Sequence, residues 1–308
     1  MGIAIAHVPT PSWSQRLRDI VRFASFFVNP SRRRADVLYE LVSTDNYLTQ
    51  RTLFRNVGYW RDSPATLDDA CEALAQLAGE AAALGPEDRL LDAGFGFGDQ
   101  DMYWLEHFAP RSIVGINVTR TQLERAKQRV AERGMSERIS LQLAGATQLP
   151  FEANAFDKVI ALESAFHFDT REDFFREAFR VLRPGGRLVT LDIVPQPQQK
   201  LSLLARVVSA VGFHFWQICS ENLYSREIYA DKLRALGFTG VAVQTVYDDT
   251  LLPFARYSLA ELEKPEVLKK LNPAIATMIW LPSRSMLDAS WGLVELDYIL
   301  AVAEKPAA

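Results

Sequence analysis

The chain contains a short apolar run, Leu-Leu-Asp-Ala at 90–93, that stops at three glycines in alternate positions, Gly94, Gly96 and Gly98. An apolar run of this length before glycine is typical of a buried strand, predicted here at 89–93, and the pattern that follows predicts a helix at 100–108. The glycines must therefore form a tight strand-to-helix turn. Glycine suits such a turn because it accepts positive φ and lets the backbone approach a ligand closely. Asp92 is placed to contact that ligand or to fix the turn.

The spacing of the glycines separates two kinds of ligand. A dinucleotide site has the spacing Gly-x-Gly-x-x-Gly, with a pyrophosphate at the helix N-terminus. Here the spacing is Gly-x-Gly-x-Gly, and Asp99 and Asp101 stand where their charge would repel a phosphate. A ligand without phosphate fits better. The pattern resembles the first motif of class I S-adenosylmethionine (SAM) dependent methyltransferases, whose glycine loop lies against the methionine part of the cofactor.

Strand and helix patterns alternate after this turn, which predicts a parallel, doubly wound α/β sheet of the Rossmann-like type. Ligands of such sheets bind at the carboxyl ends of the strands. Two closing strands suit the antiparallel edge of a class I methyltransferase, for a total of seven. After the first strand, the predicted strands are 112–118, 138–143, 156–162, 187–194, 241–247 and 296–303. The predicted helices include 119–133, where Thr119 and Gln122 have the spacing of a capping box, 171–182, and 258–279 with breaks at Pro265 and Pro273.

Composition restricts the partners and the compartment. The chain has 308 residues, of which 48% are hydrophobic and 23% charged, as in an ordinary globular protein. A net charge of −4 makes nucleic acid an unexpected partner. No apolar run reaches membrane-spanning length and no signal peptide is recognisable, so we predict a cytoplasmic protein. Cys71 and Cys219 form neither a disulfide framework nor a metal site.

Two segments lie outside a minimal fold of this kind. Residues 1–66 are predicted as an N-terminal helical lid before the main domain, 67–308. Its basic amphipathic helix at 12–28 is expected to pack over the active site or on a partner subunit, giving a homo-oligomer, rather than on an anionic membrane. Within the lid, Tyr59 and Trp60 belong either to a loop that caps the core or to a flap over a ligand. An inserted cap is predicted at about 196–224.

Several motifs together resemble small-molecule methyltransferases of antibiotic biosynthesis, and most closely the O-methyltransferases that act on a deoxysugar of erythromycin-type macrolides. The resemblance covers roughly residues 35–305. It rests on Asn-Val-Gly-Tyr-Trp at 56–60, Asp-Ala-Gly-Phe-Gly-Phe-Gly-Asp-Gln-Asp at 92–101, Leu-Glu-Ser-Ala-Phe-His-Phe at 162–168, Leu-Arg-Pro-Gly-Gly at 182–186 and Asp-Ile-Val-Pro at 192–195.

The resemblance implies SAM as the cofactor and a set of residues that hold it. Asn117 replaces the family's acidic residue on the ribose hydroxyls, and Gly145 replaces its acidic residue near adenine, which leaves recognition there to the backbone around Ala146. The full expected set is Asp92, Gly94, Gly96, Gly98, Gln100, Asn117, Val118, Gln122, Gly145, Ala146 and Glu163.

The resemblance also implies the catalytic group. His167 is the expected general base, with Asp192 as the carboxylate that supports it, and Glu163 could contact cofactor or substrate. An imidazole is well matched to take a proton from a hydroxyl near neutral pH. The residues expected to line the acceptor site are Tyr59, Trp60, His167, Phe168, Phe213, Phe215 and Trp216.

These observations predict a SAM-dependent O-methyltransferase acting on a small, largely apolar specialised metabolite, glycosylated or polyketide-like, without a metal. Two alternatives stay open. One is a C-methyltransferase acting on a prenyl or terpenoid chain, suggested by the aromatic residues of cap and flap. The other is a regulatory protein that binds SAM without chemistry. The stretch 196–222 differs from the family, and this difference concerns the part of the chain expected to contact the acceptor.

Overall fold

The computed structural model describes residues 48–196, 218–271, 273–288 and 295–307, with isolated positions between 203 and 213. Its strands form one seven-stranded sheet. They are β1 (Arg89–Ala93), β2 (Ser112–Asn117), β3 (Ile139–Leu143), β4 (Phe156–Leu162), β5 (Leu182–Pro195), β6 (Thr239–Thr245) and β7 (Leu296–Glu304). The order across the sheet is β3-β2-β1-β4-β5-β7-β6.

The sheet has the predicted fold class. Strands β1 to β5 pair in parallel, whereas β7 is antiparallel to both β5 and β6. The order reverses beside β1, since β2 lies on one side of it and β4 on the other. Loops that follow β1, β2 and β4 therefore meet at one edge of the sheet, where ligands of doubly wound folds bind.

Eight α-helices are described. They are α1 (Leu67–Ala81), α2 (Asp99–His107), α3 (Arg120–Glu132), α4 (Arg171–Val181), α5 (Arg226–Ala235), α6 (Leu251–Leu262), α7 (Pro265–Lys270) and α8 (Pro273–Leu287). Thr66 caps α1 by accepting a hydrogen bond from the Asp69 N–H, and Thr170 forms a capping box with Asp173 at α4. These caps explain why both helices begin where they do.

Neighbouring residues of β1 pack on opposite faces of the sheet, as strand geometry requires. Leu90 belongs to a cluster with Leu74 of α1 and Trp104 of α2. Leu91 belongs to a second cluster with Phe174 of α4. Because helices cover both faces of the sheet at its centre, β1 and β4 are buried along most of their length and read as largely apolar runs, whereas β3 and β6, at the two edges, are partly exposed.

The helices between β6 and β7 form a third cluster with the segment before α1. Leu48 and Phe54 pack there with Leu262, Leu271 and Ile275. The sequence predicted helix over 258–279 with breaks at Pro265 and Pro273. The helical region is longer, because it begins at Leu251 and ends at Leu287.

The structure describes only part of the predicted N-terminal lid and of the predicted inserted cap. Residues 1–47 of the lid lie outside the described residues, as does most of the cap at 196–224, including Phe215 and Trp216. Of the cap, the structure gives the 3₁₀ turn Ser220–Asn222. Among the described residues, no helix is long and apolar enough to cross a membrane.

Candidate active site

The turn after β1 has the expected backbone conformation. Gly94, Gly96 and Gly98 have φ of 110°, 55° and 79°, a region that favours glycine. A Cβ added at Gly94 would lie 2.5 Å from the Cβ of Ser164, and one at Gly98 would lie 3.4 Å from that of Ala126. A Cβ at Gly96 would meet nothing within 4 Å. The first glycine is therefore required by packing, the third is favoured by its positive φ alone, and the middle one faces open space.

Replacing Gly96 by alanine should weaken SAM binding by about tenfold to a hundredfold, because the added methyl group occupies the space that the cofactor needs, an overpacking cost of about 1–3 kcal/mol. Gly134 offers a matched control, since its φ is 69° and a Cβ there would also meet nothing within 4 Å. Gly134→Ala should carry the same backbone strain without affecting SAM. Titration calorimetry of both variants measures the difference; equal affinities would contradict the placement of SAM at Gly96.

The carboxylate beneath the turn is held by the neighbouring helix. Gln100 donates from Nε2 to both oxygens of Asp92, at 3.1 Å and 2.8 Å. Asp92 is fully buried, and burial raises the pKa of its carboxyl to about 7. Of the two roles predicted for Asp92, fixing the turn is the one these contacts support. Gln100 helps to fix the turn through its hydrogen bonds to Asp92.

Asp99 does not present the uncompensated charge that was expected to repel a phosphate. Its carboxylate forms an ion pair with Arg129, with Nη1 to Oδ2 at 2.5 Å, and accepts a hydrogen bond from the Leu53 N–H. The negative charge of Asp99 is therefore largely compensated. Asp101 is fully buried, and burial and the neighbouring Asp92 raise the pKa of its carboxyl well above its usual value.

Asn117, at the end of β2, connects three parts of the site. Its Nδ2 donates to Gln122 Oε1 at 2.9 Å and to the Gly96 carbonyl at 3.4 Å, and its Oδ1 accepts from the Thr119 N–H. The predicted pairing of Thr119 with Gln122 in a capping box is wrong, because Asn117 caps the Thr119 N–H and its amide engages Gln122. Asn117 still lies beside the open turn, where a ribose contact was expected.

An apolar surface continues from this strand end to the next. Val118 is 48% exposed and Leu143, at the end of β3, is 44% exposed. Gly145 is exposed and a Cβ there would meet nothing within 4 Å, whereas Ala146 is buried. Open space over Gly96 and Gly145 with exposed apolar side chains beside it fits a flat heterocycle and its sugar, and so fits the nucleoside of SAM.

Glu163, directly after β4, joins the flap to the sheet. Its Oε1 accepts hydrogen bonds from the Val57 N–H at 2.9 Å and from the Tyr298 hydroxyl at 2.8 Å. Its φ of 51° is left-handed, a strained conformation for a residue with a side chain. Burial raises the pKa of Glu163 to about 7. Glu163 therefore lies at the edge of the site and holds residues 56–60 in place through its hydrogen bond with Val57.

The flap itself packs onto the protein. The Trp60 ring lies 4.9 Å from the Tyr257 ring of α6, and its Nε1 donates to the Val57 carbonyl. The Tyr59 N–H donates to the Ala70 carbonyl of α1. Trp60 therefore fits the core-capping interpretation better than that of a mobile flap. Its role in binding an acceptor stays a prediction, as does that of the half-buried Tyr59.

His167 ends the 3₁₀ turn Ala165–His167 at the same edge of the sheet. Its ring lies 4.0 Å from the Phe166 ring, and the Phe168 ring packs edge-on against Phe174. Asn222 holds this turn from outside, because its Nδ2 donates to the carbonyls of Phe166 and Phe168, at 3.3 Å and 2.7 Å. Asn222 was not expected from the sequence, where it is one polar residue at the end of the cap.

Asp192 lies in a buried ionic network. Arg171 Nε donates to Asp192 Oδ2 at 2.9 Å, the Tyr229 hydroxyl donates to the same oxygen at 3.2 Å, and the Ile193 N–H donates to Oδ1. None of the hydrogen bonds described for Asp192 goes to His167. The carboxylate neutralises Arg171, which itself donates to the Asn222 carbonyl and so connects to the histidine turn. Support of His167 by Asp192 stays a prediction.

The described residues contain no group of three His, Cys, Asp or Glu side chains that could hold a metal ion. Four features thus lie at the carboxyl ends of β1, β2, β3 and β4. They are the glycine turn, the Asn117 amide, the exposed apolar side chains of Val118 and Leu143, and the 3₁₀ turn that carries His167. This arrangement can hold a nucleoside with an amino-acid tail and place a basic nitrogen beside it.

Comparisons with known proteins agree with this geometry. A family model described as "Methyltransferase domain" matches residues 91–190. Erythromycin 3''-O-methyltransferase of Saccharopolyspora erythraea is 35% identical over 95% of this chain and 97% of its own length. The 27-O-demethylrifamycin SV methyltransferase of Amycolatopsis mediterranei is 38% identical over 46% of this chain and 52% of its own.

Solved structures share the fold at lower identity. Geranyl diphosphate C-methyltransferase from Streptomyces coelicolor, solved with S-adenosyl-L-homocysteine, matches with a TM-score of 0.66 and 21% identity, over 90% of this chain and 98% of that one. The cyclase SpnF also matches with a TM-score of 0.66, at 24% identity, over 98% of this chain and 99% of that one.

Proposed function

Because the chain belongs to the class I SAM-dependent small-molecule methyltransferases, we propose that it methylates a hydroxyl group of a specialised metabolite, glycosylated or polyketide-like. The observation that carries the proposal is the match, across nearly the whole of both chains, to a protein named for O-methylation of erythromycin. The same reasoning favours a catalyst over a SAM-binding regulator. Incubation of the purified protein with SAM and candidate glycosylated metabolites tests it, through release of S-adenosylhomocysteine and a mass gain of one methylene.

SAM supplies a methyl group on a positively charged sulfur, and the residues around the glycine turn would hold it. Support comes from the open space over Gly96 and the exposed Val118 at the end of β2. We assign to this site Asp92, Gly94, Gly96, Gly98, Gln100, Asn117, Val118, Gln122, Gly145 and Ala146.

His167 is the proposed general base. It follows β4, whereas the glycine turn follows the adjacent β1, so the imidazole belongs to the neighbouring loop at the edge that holds the turn. A hydroxyl placed between the methyl group and the imidazole would lose its proton to the ring as the methyl group arrives. Positioning of the acceptor supplies the rest of the rate enhancement. Asn222, through the carbonyls of Phe166 and Phe168, would keep the turn in place.

A carbon-methylating enzyme is the second candidate, with Glu163 as the base. The observation in its favour is a buried carboxyl at the same edge, whose pKa near 7 would let it accept a proton at neutral pH. Against it, the carboxyl already holds Val57 and Tyr298. Prenyl or terpenoid substrates would be methylated only if this candidate is correct, so a panel of both acceptor classes separates the two.

The acceptor is proposed to be largely apolar and to lie under the aromatic residues of the cap. Replacing Phe213, Phe215 or Trp216 by alanine should raise the KM of the acceptor while SAM affinity stays nearly constant, because an apolar wall contributes to binding one substrate and not the other. Steady-state kinetics with each substrate varied in turn measure this. Loss of SAM binding or of solubility would instead make the segment core or interface.

Two further properties belong to the proposal. We expect a cytoplasmic enzyme, in agreement with the finding that none of the described helices could cross a membrane. We also expect that residues 12–28 mediate a homo-oligomer or cover the site; they lie outside the described residues, and size-exclusion chromatography of the full chain and of a chain lacking residues 1–34 would test their part.

A further inference from the structure

Two carboxyl groups touch beneath the glycine turn. Asp92 at the end of β1 and Asp101 in the first turn of α2 are both fully buried, and their side chains are within hydrogen-bonding contact of each other. Gln100 donates to both oxygens of Asp92. The described residues provide no donor to either oxygen of Asp101. A hydrogen bond between two carboxyl groups requires that one of them carries a proton.

The surrounding charges favour retention of that proton. Asp99 also acts on Asp101 and raises its pKa further, although Asp99 is itself paired with Arg129 of α3. Two adjacent carboxylates in a low-dielectric site cannot both be ionised without a large cost. The arrangement therefore lacks a positive charge that a ligand could provide.

We propose that Asp92 and Asp101 share one proton in the cofactor-free protein, and that binding of SAM releases this proton to solvent. The O–H bond of the protonated carboxyl breaks, its proton goes to solvent and its electron pair stays on that oxygen. The pair thereby changes from one negative charge to two, and the added negative charge compensates the positive charge of the cofactor. SAM carries an ammonium, a carboxylate and a sulfonium, for a net charge of +1. S-adenosylhomocysteine keeps the ammonium and the carboxylate but has lost the sulfonium. Because the sulfonium is the charge that would drive proton release, S-adenosylhomocysteine should leave the proton in place.

This proposal rests on the assignment of the cofactor to the Gly96 turn. It makes Asp101 a positioning residue that acts through Asp92, and it predicts that the preference for SAM over its product rises with pH. By linkage, SAM affinity should increase by up to about tenfold per pH unit below the apparent pKa of the pair, whereas the affinity for S-adenosylhomocysteine should change much less.

Calorimetric titration at pH 6 in buffers of different ionisation enthalpy counts the protons released. We expect up to one proton per SAM for the wild-type protein and close to none for S-adenosylhomocysteine. Asp101→Asn resembles the protonated acid and should bind SAM without proton release and with a flat pH dependence. Asp231→Asn, which removes an exposed carboxylate of α5 paired with Arg234, should behave as the wild type.

A second measurement needs no cofactor. The pKa values of both carboxyls are raised on folding, so the folded chain holds more protons than the unfolded one between the usual aspartate value and about pH 7. Stability from this proton is fully present at low pH and is lost as pH rises through that window. The urea midpoint of the cofactor-free protein should therefore fall more steeply with pH in the wild type than in Asp101→Asn.

Three outcomes would overturn the proposal. Wild-type heats of SAM binding that do not depend on the buffer would show that no proton leaves. Full proton release by Asp101→Asn would place the proton elsewhere. If SAM does not bind at all, the cofactor assignment fails together with this proposal, whereas proton-linked SAM binding without methyl transfer would leave this proposal intact and overturn only the proposed reaction.

Discussion

His167→Ala should lower kcat by about 10²- to 10⁴-fold with little change in SAM affinity, the range typical of a lost general base. The reason is its place on the 3₁₀ turn after β4, in the loop next to the glycine turn at the same edge of the sheet. Stopped-time assays of S-adenosylhomocysteine formation with the true acceptor measure kcat, and calorimetry measures SAM binding. Acidification should reproduce part of the loss, because a protonated imidazole cannot accept the proton.

His107 provides the matched control for this variant. It is exposed at the end of α2, where its ring stacks on the Tyr103 ring with 3.9 Å between the ring centroids. It is not among the residues assigned to the cofactor or to the acceptor. His107→Ala should therefore keep a normal kcat. A near-normal kcat for His167→Ala would refute the base and leave positioning alone, or Glu163 as the base of a carbon-methylating enzyme.

The second large effect concerns stability. Asp192→Asn should lower the free energy of unfolding by about 3–5 kcal/mol, because it leaves the buried guanidinium of Arg171 without a counter-charge. Arg171 and Asp192 side chains are 1% and 0% exposed, so water cannot compensate for the loss. Urea denaturation measured by circular dichroism gives the change.

An exposed ion pair provides the comparison that shows how much of the stability effect depends on burial. Asp231 and Arg234 form an ion pair whose side chains are 75% and 55% exposed. Asp231→Asn should change the free energy of unfolding by less than about 1 kcal/mol. If Asp192→Asn is equally mild, the network around Arg171 is not a stabilising element, and a direct catalytic role for Asp192 would have to be considered again.

The glycine turn and the strands could be predicted from the sequence because their signals are local. β1 and β4 have the predicted limits, Arg89–Ala93 and Phe156–Leu162. Apolar runs between glycine-rich turns have few alternative structures, and the right-handed crossover rule then orders them. The glycine turn could be predicted as a ligand contact for the same reason. Local sequence could not show that Gly94 packs against Ser164 whereas Gly96 faces open space, because Ser164 is distant in sequence.

The contacts between distant segments could not be predicted in this way. Asp192 forms hydrogen bonds with Arg171 and Tyr229, which no local pattern identifies. The capping pair Thr119 and Gln122 failed for a related reason, since a side chain outside the helix, Asn117, competes for both groups. Side-chain partners depend on the three-dimensional arrangement, and spacing alone specifies only which residues are available.

The third cluster has a consequence for building chimeric enzymes. Leu48 and Phe54, before α1, share one hydrophobic cluster with Leu262 and Leu271 from the helices between β6 and β7. The two segments are about two hundred residues apart in sequence, yet their side chains must be complementary in volume. Exchanging only one of them with a relative, in order to transfer acceptor preference, would create cavities or clashes in the cluster. A functional exchange should therefore transplant both segments from the same parent.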